Sequence, residues 1–247
     1  MSSRISKFQL DVLVSRTFDV LFSDLTNLGL LLLQSPIIAL CIVTVWKDVN
    51  EATDNLYFVM ELAAIWFGAI NASREIVKER SIFLREMRTG LETGSYVAAK
   101  FIVLSTLGFV QCLMLTAIVG RTIALEGGPF LHFIVLCAAS LAGTALGLAI
   151  SAFVSESDRA VALVPIVLLP QILFSDFAVD SKAAGKVASF CRNFTFTKWS
   201  YKADLEITAA EVSAGPIVSS IGILLLMTLV LLMAAAIILE LRGYKER

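Results

Sequence analysis

The sequence predicts an all-α integral membrane protein with six transmembrane helices. Three observations lead there. Of its 247 residues 57% are hydrophobic and 17% charged, against about 45–50% apolar and about 25% charged in soluble domains, and mean hydropathy is +0.83. The charges are clustered, which leaves apolar runs near 28–46, 54–73, 101–120, 129–154, 160–178 and 217–239. Each is close to the ~20 residues that cross a hydrocarbon core of about 30 Å. These runs are apolar all round, so they lack the alternation of a transmembrane strand.

Residues 1–27 precede the first span and predict an amphipathic connecting helix. Leu10, Leu13, Val14, Phe18, Leu21, Phe22 and Leu25 recur at helical spacing, while Asp11, Ser15, Asp19 and Ser23 hold the other side. Such a stripe next to a span suits the membrane interface; packing on a soluble domain is the other reading. The rest of the chain, 28–247, forms the six-helix transmembrane domain.

After the second span comes the one dense charge run, Ser73 to Glu86. Over 74–93 the pattern stays helical, with Ile76, Phe83, Leu84, Met87 and Leu91 on one face, until Gly90 and Gly94 interrupt it. A solvated face and a docking surface set by charge complementarity both fit this pattern.

The fourth span carries Ala139, Gly143 and Gly147 at four-residue spacing, which allows close helix approach; packing inside the bundle is expected over a dimer seam. The fifth contains Pro165 and Pro170, which remove backbone donors and kink a helix. The segment 179–214 mixes Phe190, Phe194, Phe196 and Trp199 with five basic residues. Short helices resting on the outer face are predicted there.

Lys and Arg mark the cytoplasmic side. Placing both termini inside puts Arg4, Lys7, Arg16, Arg74, Lys78, Arg80, Arg85, Arg88, Lys100, Arg159, Arg242, Lys245 and Arg247 there, and leaves only Lys47 and Arg121 in the short outer loops. No signal peptide is visible before the first span.

Glu61 is the one acid inside a span, where a carboxylate normally faces protein or water. It reads as a cavity or relay acid, or as a carboxylate near the span end reaching water or another span. The nearness of Asp54 and Asn55 argues for the second. Asn71, Gln34, Gln111 and Gln171 read as helix-to-helix glue. A lone His132 makes a poor metal site, and Cys41, Cys112, Cys137 and Cys191 have no CxxC spacing. Net charge is −1 and no basic patch suggests nucleic acid. No GxxxxGK[ST] loop, GxSxG or HExxH occurs, so the chain is expected to bind no cofactor and not to be an enzyme.

The order of elements resembles type-2 ABC transporter permeases, the G subfamily and its bacterial relatives in particular. Glu79-Arg80-Ser81-Ile82-Phe83-Leu84-Arg85-Glu86, followed by Gly90, Gly94, Ser95 and Tyr96, is similar to that family's coupling-helix pattern. Pro170-Gln171-Ile172-Leu173-Phe174-Ser175 resembles its element near the outer end of span five, with Asp176 where the family has Gly. Lys198-Trp199-Ser200-Tyr201-Lys202-Ala203 resembles its outer-loop element.

The resemblance implies a half-transporter in a bacterial inner (plasma) membrane, exporting a lipophilic or amphipathic substrate by alternating access. Its partners would be an ABC ATPase, a second permease copy (as homodimer or heterodimer) and membrane lipid, with ATP and Mg held by the ATPase and no nucleic acid. The Met1 start leads to the expectation that the ATPase is a separate chain. Family cavity positions fall on Phe67, Leu169 and Ile172, with Asn71 beside them. The outer gate falls on Phe177 and Ala178, and ATPase coupling on Glu79, Arg80, Arg85 and Glu86. Export of a lipid-linked polysaccharide, or a secondary transporter or channel outside the ABC class, are the alternatives.

Overall fold

The computed structural model describes residues 6–49, 53–175, 185–209 and 214–245. In chain order the helices are α1 (Lys7–Ser23), α2 (Leu25–Trp46), α3 (Asp54–Ala72), α4 (Arg80–Arg88), α5 (Thr93–Thr122), α6 (Pro129–Phe153), α7 (Ser157–Leu173), α8 (Lys186–Arg192), α9 (Phe196–Thr208) and α10 (Ala214–Lys245). No strand occurs among the described residues. The protein is an all-α integral membrane protein, as its composition requires. Five helices, α2, α3, α5, α6 and α10, are long and apolar enough to cross a membrane. The sixth predicted span corresponds to α7, whose 17 residues reach about 26 Å at 1.5 Å each; the end of that span lies outside the described residues.

Local chemistry sets the element boundaries. Asp24 separates α1 from α2 and caps α2 by accepting the Asn27 N–H at 3.1 Å, one of the donors a helix start leaves open. Gly128 has φ +92° and Pro129 opens α6 at its first position, where the missing proline N–H costs nothing. Gly90, at φ +103°, closes α4 as the Leu91 N–H turns back to the Glu86 carbonyl at 3.1 Å; the left-handed conformation explains the glycine.

α3 and α6 form the centre, and the other spans pack around them. Their contact depends on small residues. A Cβ on Gly143 would stand 2.2 Å from the Ile65 carbonyl oxygen, one on Gly147 2.4 Å from that of Ala69, and one on Gly68 2.2 Å from that of Ser140. The four-residue glycine spacing therefore serves packing inside the bundle, as expected. Deeper in, Asn71 ties three spans together. Its amide donates to Gln111 Oε1 at 2.6 Å and accepts from Gln34 Nε2 at 3.2 Å, and Gln111 Nε2 donates to the Leu31 carbonyl at 2.7 Å.

The charged segment differs from the continuous helix predicted over 74–93. A turn follows α3, then a single 3-10 turn at Val77–Glu79, then α4. The cause lies in another span. Ser151 Oγ of α6 accepts the N–H groups of Ile76 (3.0 Å) and Val77 (3.1 Å), so these donors leave the helical ladder. Helix resumes at Thr93, and Gly94 sits in its first turn rather than breaking it.

Between α7 and α10, α8 and α9 are the short helices predicted for that segment. α9 packs against α3, α6 and α10 through Phe196, Thr197, Ser200, Tyr201, Ala203, Asp204 and Ile207. Gln171 of α7 holds its start, accepting the Phe196 N–H at 2.7 Å on Oε1 and the Thr197 hydroxyl at 2.7 Å on its carbonyl. The bundle thus has two distinct ends, one built from α1 and α4, the other from α9 and the loop between α5 and α6.

Candidate functional site

At the α1/α4 end an ionic cluster joins three elements. Lys100, in the second turn of α5, is 1% exposed. Its Nζ stands 2.7 Å from Glu79 Oε1 and 3.3 Å from Glu75 Oε2. Glu75 also pairs with Lys78. Glu79 is shared further: the Tyr96 hydroxyl donates to it at 3.4 Å, and Arg16 of α1 lies 3.7 Å away. Arg16 then reaches Glu86 of α4 at 2.7 Å. A buried ammonium is tolerated only when carboxylates surround it, and here two do.

Apolar contacts seat α4 beneath this cluster. Phe83, 1% exposed, meets the Tyr96 ring at 4.7 Å between centroids, and Leu84 and Met87 pack beside it. α1 is fastened to the loop after α4 by a reciprocal pair: Gln9 Nε2 donates to the Gly90 carbonyl at 3.1 Å, and Gln9 Oε1 accepts the Glu92 N–H at 3.0 Å. Leu13 is buried against the bundle, while Phe8, Val12, Val20 and Phe22 remain exposed.

The four coupling residues expected from the sequence divide into three roles. Glu79 and Glu86 face inward and hold α1 and α5. Arg80 donates to the Val154 carbonyl at 3.3 Å and to Ser155 Oγ at 3.4 Å. Arg242 of α10 donates to the same carbonyl at 3.2 Å and to that of Phe153. Two guanidinium groups thus satisfy the carbonyls that α6 leaves open at its end. Arg85 is exposed and makes no ion pair with a described residue.

The expected cavity residues do not meet in one place. Phe67 is fully buried in the core that α3 shares with α6. The less buried side of α3 is Val59, Leu62, Trp66 and Ile70, one residue out of register with Phe67. Asn71 is occupied by Gln34 and Gln111, and borders a recess of about 220 Å³ with Asn27, Arg74, Glu75 and Lys78. Leu169 is exposed and Ile172 half-buried on α7; Leu169 lies on an apolar outer strip with Ile166 and Leu173. Phe177 and Ala178 lie outside the described residues.

Sequence reading passed over Lys100, Arg16 and Glu75 as parts of this site, and had Tyr96 only as a motif residue. One signal existed. Lys100 is a single cation entering an otherwise apolar run, where a charge without partners is disfavoured. Of the two ways Glu61 was expected to be met at its span end, water is not the one: it is fully buried and lies among side chains of other helices, His132 of α6 and Asp204 and Ser200 of α9.

Comparison with known proteins adds two findings. The ABC-2 type transporter family matches residues 8–208. The ABC transporter ATP-binding/permease protein Rv1747 of Mycobacterium tuberculosis is 29% identical over 136 residues, which is 52% of this chain and 16% of that protein.

Proposed function

We infer the function from one premise: this chain belongs to the ABC-2 type transporter family. It is the membrane subunit of an ABC transporter, a permease component rather than a catalytic one. The proposed activity is ATP-driven export of a lipophilic or amphipathic molecule by alternating access, with two permease copies forming the pathway in a bacterial inner membrane. An ABC ATPase docks on the α1/α4 end, which faces the cytoplasm together with both termini; the positive-inside distribution of Lys and Arg supports that orientation. ATP and Mg belong to the ATPase.

The observation that carries this reading is the route from the segment leading into α4, residues 75–79, to the membrane helix α5. Glu79 and Glu75 grip Lys100, and Lys100 belongs to a helix of 30 residues that runs about 45 Å. A push on α4 therefore moves α5 with it, and a rigid-body transition between two states can follow. Arg85, exposed on the outer side of α4, is the charge offered to the ATPase. The apolar sides of α3 (Leu62, Trp66, Ile70) and α7 (Leu169, Ile172) suit an apolar cargo, and Phe67 backs the α3 wall from within.

The test uses the permease reconstituted with its ATPase. Glu86→Lys is expected to leave the bundle folded and to make ATP hydrolysis insensitive to cargo, and the charge exchange Arg16→Glu with Glu86→Arg to restore the response. Arg85→Glu is expected to weaken ATPase association without loosening α1. Unchanged coupling in the first variant together with unchanged association in the third would overturn the assignment of this end.

A further inference from the structure

The opposite end of the bundle buries three ionisable groups that the transport cycle above does not use. Glu61 of α3 and His132 of α6 are 0% exposed, and Asp204 of α9 is 1% exposed. His132 Nδ1 lies 2.9 Å from Asp204 Oδ1, and Nε2 lies 2.7 Å from the Glu126 carbonyl oxygen. Asp204, Ser200 and His132 are the polar neighbours of Glu61, yet neither Glu61 oxygen accepts a hydrogen bond of normal length. A buried carboxyl beside a second carboxyl, with no hydrogen bond of normal length to either oxygen, lacks something that would neutralise it.

We propose that Glu61, His132 and Asp204 form a proton-binding site that fastens α9 to the membrane helices. The hydrogen-bond geometry restricts where protons sit. A backbone carbonyl can only accept, so His132 Nε2 carries a hydrogen. Nδ1 then either accepts from a neutral Asp204 carboxyl or donates to its carboxylate; one proton lies between the two in both cases. Neither Glu61 oxygen has such a bond. The His132–Asp204 pair is neutral overall in both arrangements, so an ionised Glu61 would stand buried without a counter-charge; a second proton on Glu61 removes that charge.

Among the described residues no fixed cation competes for the role. The other titratable groups next to the site are Tyr57 from α3, Cys112 from α5 and Glu126 from the loop. From α7 comes the neutral Gln171, and α10 carries no ionisable residue from Ala214 to Leu239. Among the described residues no Lys or Arg pairs with Glu61 or Asp204, and no group of His, Cys, Asp and Glu could hold a metal ion. Burial lifts the Asp204 carboxyl to about 7, in keeping with a site that exchanges its proton near neutrality.

Glu126 is exposed, and the imidazole bridges its backbone carbonyl to the buried Asp204 carboxyl. Tyr57 covers the ring, stacked at 4.7 Å and 13°, and its hydroxyl accepts the Glu126 N–H at 3.1 Å. Losing the proton from the site would leave two carboxylates repelling across the α3–α9 contact.

This site does not depend on what the transporter carries or on which partner drives it, so it is tested on the full chain in lipid nanodiscs. Between about pH 5 and about pH 9, the thermal midpoint is expected to fall and amide exchange across 196–208, corrected for its intrinsic pH dependence, to rise. Glu61→Gln, which keeps the shape and removes the charge, is expected to flatten both responses. An infrared band from a protonated buried carboxyl is expected in the wild type and weakened in that variant, where only Asp204 remains to carry it. A wild-type midpoint independent of pH, or an unaltered response in Glu61→Gln, overturns the proposal. So does rescue of the high-pH midpoint by sodium but not by choline, which would make the site one for a metal cation. If Glu61→Gln fails to accumulate, absence of the band from the wild type at low pH is the overturning result.

Discussion

The two ends of the bundle both bury carboxylates, and they neutralise them by different means. At the α1/α4 end Glu75, Glu79 and Glu86 each meet a Lys or Arg. At the α9 end Glu61 and Asp204 share one imidazole and no fixed cation among the described residues. At the first end side-chain cations lie directly on the carboxylates, so that end is a permanent joint. A proton comes and goes, so the second end is a joint whose strength follows the medium. A rigid input and an adjustable far end on one bundle suit a device driven from one side.

The contrast can be broken most forcefully at Lys100. Lys100→Met leaves Glu75 and Glu79 buried without their shared cation, and loss of one partner from a buried pair costs about 3–5 kcal/mol. Denaturation of the purified chain should report that loss, with α1 and α4 the first segments to exchange. The seam common to both ends comes next. Gly143→Ala places a Cβ 2.2 Å from the Ile65 carbonyl oxygen, and overpacking of this kind costs about 1–3 kcal/mol. Exchange should rise at both ends alike, and a rise confined to one end would mean that they are not built on a common core.

A smaller effect, opposite in direction to Lys100→Met, is expected from Asp204→Asn. The Asp204 carboxyl is raised in the folded chain, from 3.8 to about 7, by burial. Its contribution to stability is fully present below the ordinary carboxylate range and is lost as pH rises through about 7. Asp204→Asn should therefore remove that loss and be more stable than wild type above pH 7, read as a higher thermal midpoint. Smallest of all is Arg16→Met. Arg16 and Glu86 are each about one-third exposed, and such pairs contribute about 0.2–1 kcal/mol. That variant should barely move the midpoint, yet should loosen α1 in exchange measurements.

How much of this was legible in the chain depends on range. Span positions followed from runs of about twenty apolar residues, because lipid leaves the backbone no choice but helix there. The glycine seam of the fourth span was readable for the same reason, as spacing along one helix. The break in the charged segment was not, since the hydroxyl responsible is Ser151, some 75 residues away. Phe67 and Trp66 are neighbours on one helix, and only the packing of α6 against α3 decided which of them is buried. Glu61 read as a span-end acid because Asp54 is near in sequence; α9, arriving from the far end of the chain, covers it.

Composition and periodicity by themselves determined that this protein lives in a bilayer, that its spans are helical, and where its charged segment and its amphipathic first helix lie. Those properties depend on solvation and on residues within a turn or two of each other. Which carboxylate meets which cation, and which is left to find a proton, was decided by tertiary structure alone. Arg16 and Glu86 are 70 residues apart and His132 and Asp204 are 72 apart, and no local pattern encodes a contact that exists only once the helices have packed.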